Sequence, residues 1–89
     1  MSEDRQAVAG LYGITPEVAN TESLLGIVSQ AISGGARLFQ YRNKSAGRER
    51  LFEQATALRQ LTGEAGARLI INDDFELALR VLADGVHLG

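Results

Sequence analysis

Residues 34–45 read GGARLFQYRNKS, and the order of signals in that stretch sets the fold. Two glycines come first, as expected where a helix ends in a left-handed residue. Leu38, Phe39 and Tyr41 then give an extended apolar segment within ARLFQYR (36–42), and Ser45 stands ready to cap a following helix. Upstream, from Thr21 to Ser33, Leu24, Leu25, Val28, Ala31 and Ile32 recur at helical spacing with Ile27 beside them. Downstream, Leu51, Phe52, Ala55, Leu58 and Leu61 keep the same period until Gly63 and Gly66 break it. The stretch is therefore a strand between two helices.

The pattern extends in both directions. GLYGIT (10–15) is a short strand stopped by Pro16, and residues 1–7 form a polar tail expected to be disordered. ARLIIND (67–73) is a third strand, with the continuous apolar run of one covered on both faces. Phe75, Ala78, Leu79 and Leu82 outline a short third helix, and DGVHLG (84–89) is a fourth, very short strand. The order β-α-β-α-β-α-β predicts an α/β fold with parallel pairing through crossover helices. Two architectures share this opening: an open doubly wound sheet, and the first half of a (β/α)8 barrel. The spacing of GLYGITPEV does not match a dinucleotide-binding glycine fingerprint, which lowers one version of the first.

Composition narrows the function classes. The chain has 89 residues, 45% of them hydrophobic, which is enough for one small globular domain. A net charge of −2 argues against a nucleic-acid or anionic-membrane surface. With no cysteine, disulfides and thiolate metal sites are excluded. The charged N-terminus lacks a secretory h-region, and no apolar run approaches the roughly 18 residues of a membrane span. The expectation is a soluble, cytoplasmic chain.

Parallel α/β sheets bind ligands beyond the carboxyl ends of their strands. The unusual polar residues fall there: Thr15 after the first strand, and Gln40, Arg42 and Lys44 on the second. Asn72, Asp73 and Asp74 end the third strand, and His87 lies in the fourth. Gln40, Arg42 and Lys44 share one parity, opposite to Phe39 and Tyr41, so in an extended chain they point to one face. Two cations with a carboxylate suit a phosphate or diphosphate held with a divalent cation. Each residue also has a plainer role open to it. Arg42 and Lys44 suit a solvated loop, and Asn72 suits a turn. Asp73 and Glu76 have capping-box spacing, and Asp74 suits the helix dipole. His87, between Val86 and Leu88, suits a buried, hydrogen-bonded histidine. Gln40 must find partners if it is buried in mid-strand.

Taken together, GLYGIT, GGARLFQYRNKS, LIINDDFELAL and ADGVHLG resemble, in order and spacing, the N-terminal half of the thiamine phosphate synthase family. The resemblance covers roughly residues 10–89. It implies a (β/α)8 barrel that joins hydroxymethylpyrimidine diphosphate to hydroxyethylthiazole phosphate with Mg²⁺, giving thiamine phosphate and pyrophosphate. It further implies that Gln40, Arg42, Lys44 and Asn72 contact the pyrimidine diphosphate, Arg42 and Lys44 acting on the leaving group. By the same resemblance Asp73 is one of two Mg²⁺ carboxylates, and His87 lies beside the substrate site.

The sequence ends at Gly89, before the family's second Mg²⁺ carboxylate and its thiazole-phosphate strands. The expectation is a half-barrel over residues 8–89 with little synthase activity by itself, its open surface hidden by self-association. Two other readings stay open: a thiazole tautomerase-like enzyme, and an inactive half-barrel that folds only by associating.

Overall fold

The computed structural model describes residues 13–88. The order is β1 (Gly13–Ile14), α1 (Thr21–Ser33), β2 (Leu38–Tyr41), α2 (Arg48–Ala65), β3 (Arg68–Asn72), α3 (Phe75–Val81) and β4 (Gly85–His87). The expected tail at 1–7 and the start of the first strand lie outside the described residues.

All three strand pairings are parallel, and the four strands lie side by side in sequence order. That order decides between the two architectures. A doubly wound sheet reverses its strand order at a switch point, whereas each crossover here steps to the next neighbour in the same direction. Burial agrees. Phe39, Tyr41, Leu69 and Ile71 are buried beneath the helices, while Ile14, of the opposite parity, is 51% exposed. Helices thus cover one face only, as in an arc of a (β/α)8 barrel whose other face looks inward. The apolar run of β3 is accordingly not covered twice, since Ile70 between Leu69 and Ile71 is only half-buried.

The core packs Leu24, Val28 and Ala31 of α1, Ala55 and Leu58 of α2, and Leu77, Ala78 and Val81 of α3 against that covered face. Each large apolar side chain fully removed from water contributes about 1.5–3 kcal/mol before entropy is counted.

The boundaries of α1 agree with the sequence reading, and those of α2 and α3 correct it. Asn20 caps α1, its Oδ1 accepting from Ser23 N at 2.8 Å. Gly34 stays right-handed at the end of α1, and it is Gly35 that turns to φ 110°. The N-cap of α2 is Gly47, without a side-chain bond, because the Ser45 hydroxyl donates to Glu17 instead. Gly63 remains inside α2, which ends at Gly66 with φ 74°. The cap of α3 is Asp74, not Asp73: Asp74 Oδ1 accepts from Leu77 N at 3.0 Å. The buried face of α3 is Leu77, Ala78 and Val81, while Phe75, Leu79 and Leu82 are exposed. Apolar residues lie almost all round that short helix, so period alone could not choose its inner face.

Candidate functional site

The sheet delivers its polar residues to one rim. Thr15, buried just past β1, extends the ladder: its N–H donates to Gln40 O at 2.9 Å, and its Oγ1 accepts from Arg42 N at 3.2 Å. Arg42 and Lys44 are not on β2, which ends at Tyr41; they lie exposed in the loop that follows. Lys44 Nζ lies 3.9 Å from Asp73 Oδ2, so the loop after β2 meets the end of β3.

On the uncovered face Gln40 is nonetheless 5% exposed, and Asn72 Nδ2 donates to its Oε1 at 2.6 Å. Asn72 is in register with His87 across β3 and β4. His87 is exposed, which corrects the buried reading of that histidine; burial fails because, among the described residues, no helix covers this side of β4. Its backbone oxygen accepts from Asp73 N at 2.6 Å. That bond helps hold Asp73 at φ 59°, a left-handed conformation that Asp tolerates better than most residues.

The two adjacent aspartates divide the work. Asp73 is exposed at the rim, beside Lys44. Asp74 turns to the protein, accepting from Leu77 N and from Arg48 Nη1, the latter at 2.7 Å. Burial pushes the Asp74 carboxyl up, but the Leu77 N–H and the Arg48 guanidinium outweigh it and hold it below the usual carboxylate value. A cleft of about 230 Å³ opens here, lined by Lys44, Asn72, Asp73 and Asp74 together with Leu51 and Leu77.

Two residues that shape the rim were missed in the sequence. Gln54, fully buried on α2, ties three segments together. Its Oε1 accepts from Tyr41 Oη at 2.6 Å and from Asn43 Nδ2 at 3.4 Å, and its Nε2 donates to Val18 O at 2.9 Å. Its signal was a polar residue on the apolar stripe, three positions after Leu51 and four before Leu58. Burial pushes the Tyr41 phenol above it up to about 12. Glu17, after Pro16, gave no such signal. Its carboxylate accepts from Lys44 N at 2.9 Å and from Ser45 Oγ at 2.8 Å. The Lys44 N–H, then the Ser45 hydroxyl, hold it below the usual carboxylate value, with Arg42 and Lys44 adding charge.

Among the described residues no three His, Cys, Asp or Glu side chains gather into a metal cage. Asp73 offers an exposed carboxylate at the rim, whereas the Asp74 and Glu17 carboxylates are engaged by Leu77 N and Arg48 and by Lys44 N and Ser45. Mg²⁺ commonly takes one or two carboxylates together with substrate phosphates, so this donor set fits a shared site better than a protein-only one.

Comparison with known proteins gives one consistent answer. The family model described as Thiamine monophosphate synthase matches residues 11–89. The Thiamine-phosphate synthase of Nitrosospira multiformis is 47% identical over 85 residues, covering 96% of this chain and 36% of that protein. The Thiamine-phosphate synthase of Chromobacterium violaceum is 48% identical over 82 residues, covering 92% and 40%. Among solved structures, Thiamine phosphate pyrophosphorylase from Pyrococcus furiosus superposes with a TM-score of 0.72 at 36% identity. That match covers 91% of this chain and 39% of the other. The chain thus spans about two-fifths of the length of these relatives.

Proposed function

The chain belongs to the thiamine monophosphate synthase family, and from that membership we propose that it carries the pyrimidine-diphosphate half of a thiamine phosphate synthase site. The activity proposed for the whole protein is transfer of the hydroxymethylpyrimidine group to hydroxyethylthiazole phosphate, with release of pyrophosphate. The observation that carries this reading is the meeting of two pairs at adjoining strand ends. These are the Asn72–Gln40 amide pair at 2.6 Å and the Lys44–Asp73 charge pair at 3.9 Å.

The chemistry asks little of nucleophilic groups. Breaking the bond to the diphosphate puts charge on the leaving group, and the aminopyrimidine can delocalise the charge left on carbon. The protein's task is then to hold the substrate and to stabilise the departing anion. In this reading Arg42 grips diphosphate oxygens through its planar fork, and Lys44 adds a point charge beside them. Gln40 and Asn72 orient the pyrimidine by hydrogen bonds, with His87 in register beside Asn72 on the same face. Asp73 would hold Mg²⁺ jointly with diphosphate oxygens, where the ion supplies further neutralisation of the leaving group.

Highly charged substrates of this kind do not cross bilayers unaided, which favours a cytoplasmic setting; no helix among the described residues is long and apolar enough to cross a membrane. The uncovered sheet face also favours self-association of this chain on its own.

Calorimetry with hydroxymethylpyrimidine diphosphate tests the reading. Binding is expected, stronger with Mg²⁺ than without, and absent in Arg42→Ala. A folded sample that binds neither way counts against it.

A further inference from the structure

We infer that Glu17 is a positioning residue for the diphosphate-binding loop, acting by gripping the Lys44–Ser45 turn with both of its carboxylate oxygens. The inference rests on the diphosphate reading of Arg42 and Lys44 and adds to it the element that shapes their loop.

Four observations carry it. Glu17 Oε2 accepts from Lys44 N at 2.9 Å, and Glu17 Oε1 accepts from Ser45 Oγ at 2.8 Å. One side chain thus fixes two consecutive residues of the loop, across 27 and 28 positions of sequence. The same turn is closed from within by Asn43, whose Oδ1 accepts from Ser45 N and Ala46 N, each at 3.0 Å. Asn43 is in turn linked to buried Gln54, which also holds Val18 O next to Glu17. The loops after β1 and β2 are therefore braced from inside by Gln54 and from outside by Glu17. Finally, the Ser45 hydroxyl donates to Glu17 and caps no helix, since the N-cap of α2 is Gly47.

Electrostatics makes the inference testable by sign. Glu17 is an anion beside two cations proposed to bind an anion. If its influence were only Coulombic, removing it would tighten diphosphate binding. If it positions the loop, removing it loosens binding, because the Lys44 backbone must then be ordered by the ligand. The two roles predict opposite changes.

The probe is inorganic pyrophosphate, titrated into the chain as wild type, Glu17→Ala, Glu17→Gln and Arg42→Ala. Glu17→Ala is expected to weaken binding about fivefold, the loss of one ordinary hydrogen bond or more. Glu17→Gln keeps an acceptor oxygen and sheds the charge, so it is expected to bind at least as well as wild type. Backbone ¹⁵N relaxation should show the Lys44 and Ser45 amides more mobile in Glu17→Ala alone. If binding is lost in Arg42→Ala but unchanged or tighter in Glu17→Ala, the positioning role is overturned while the diphosphate reading stands. If wild type does not bind, or Arg42→Ala binds as wild type does, the diphosphate reading falls, and the ligand role of Glu17 falls with it.

Discussion

Asn72 and Gln40 are joined side chain to side chain at 2.6 Å across β3 and β2, on the face of the sheet that no helix covers. Gln40 is nearly buried there, and its carboxamide oxygen accepts this bond away from bulk water. Asn72→Ala removes the donor and is expected to lower stability by about 1–3 kcal/mol, read as a fall in urea midpoint at unchanged slope. It should also weaken binding of the pyrimidine diphosphate. A variant with intact affinity would mean that Asn72 serves only the sheet.

Asp73 and Asp74 give opposite predictions although they are neighbours. Asp74→Ala removes the cap on Leu77 N and the 2.7 Å partner of Arg48, and should cost about 1 kcal/mol. Asp73→Asn keeps a residue type that accepts φ 59° and touches no cap, so stability should change by less than about 0.5 kcal/mol. Only Asp73→Asn should abolish the Mg²⁺ dependence of ligand binding. The Asp74 carboxyl is held below its ordinary 3.8, so its contribution is present above that value and is lost as pH falls through the folded-state value. Acid unfolding of wild type and Asp74→Asn should therefore converge at low pH.

Tyr41 provides the alkaline counterpart. Its phenol is raised from 10.0 to about 12 by burial, so between those values the unfolded chain has lost a proton that the folded chain retains. The stabilisation from keeping the phenol neutral is complete below pH 10 and lost as pH rises toward 12. Urea midpoints across that window should fall for wild type more steeply than for Tyr41→Phe. At pH 7, where the phenol is neutral in both states, Tyr41→Phe takes a donor from buried Gln54 and should be less stable by about 1–2 kcal/mol.

The pattern of apolar residues made the alternation of strands and helices legible, because buried faces impose periods of 2 and 3.6 on the chain. The choice between barrel arc and doubly wound sheet was not legible in periodicity, since both use the same local unit. It became clear once four strands lay in sequence order with Ile14 and Ile70 left on an uncovered face. The same limit explains His87 and α3. The apolar neighbours of His87 suggested burial, but exposure depends on which elements cover β4. The cap moved from Asp73 to Asp74 because Asp73 N bonds to His87 O, a contact 14 positions away that no local window contains. Gln40, Arg42, Lys44, Asn72 and Asp73, the residues proposed for the site, stand out in the sequence as polar residues at or just past strand ends. Glu17 does not, since a carboxylate after a proline looks the same whether it is solvated or gripping a distant loop.

The uncovered face makes a final prediction about the chain in solution. Among the described residues, β1 and β4 are the outer strands and each pairs on one side only. Ile14 stands 51% exposed on the open face, with half-buried Leu38 on the neighbouring strand and half-buried Ile70 beyond Gln40 on the strand after it. Unpaired strand edges flanking an apolar strip favour association. Light scattering should therefore report a mass above the 9.6 kDa of one chain, rising with concentration. Ile14→Lys places a charge on that strip without disturbing the helix-covered core, and is expected to shift the distribution toward monomer. A wild-type chain that stays monomeric at high concentration would indicate that the Gln40–Asn72 pair and the rim charges keep this face wet enough to stand alone.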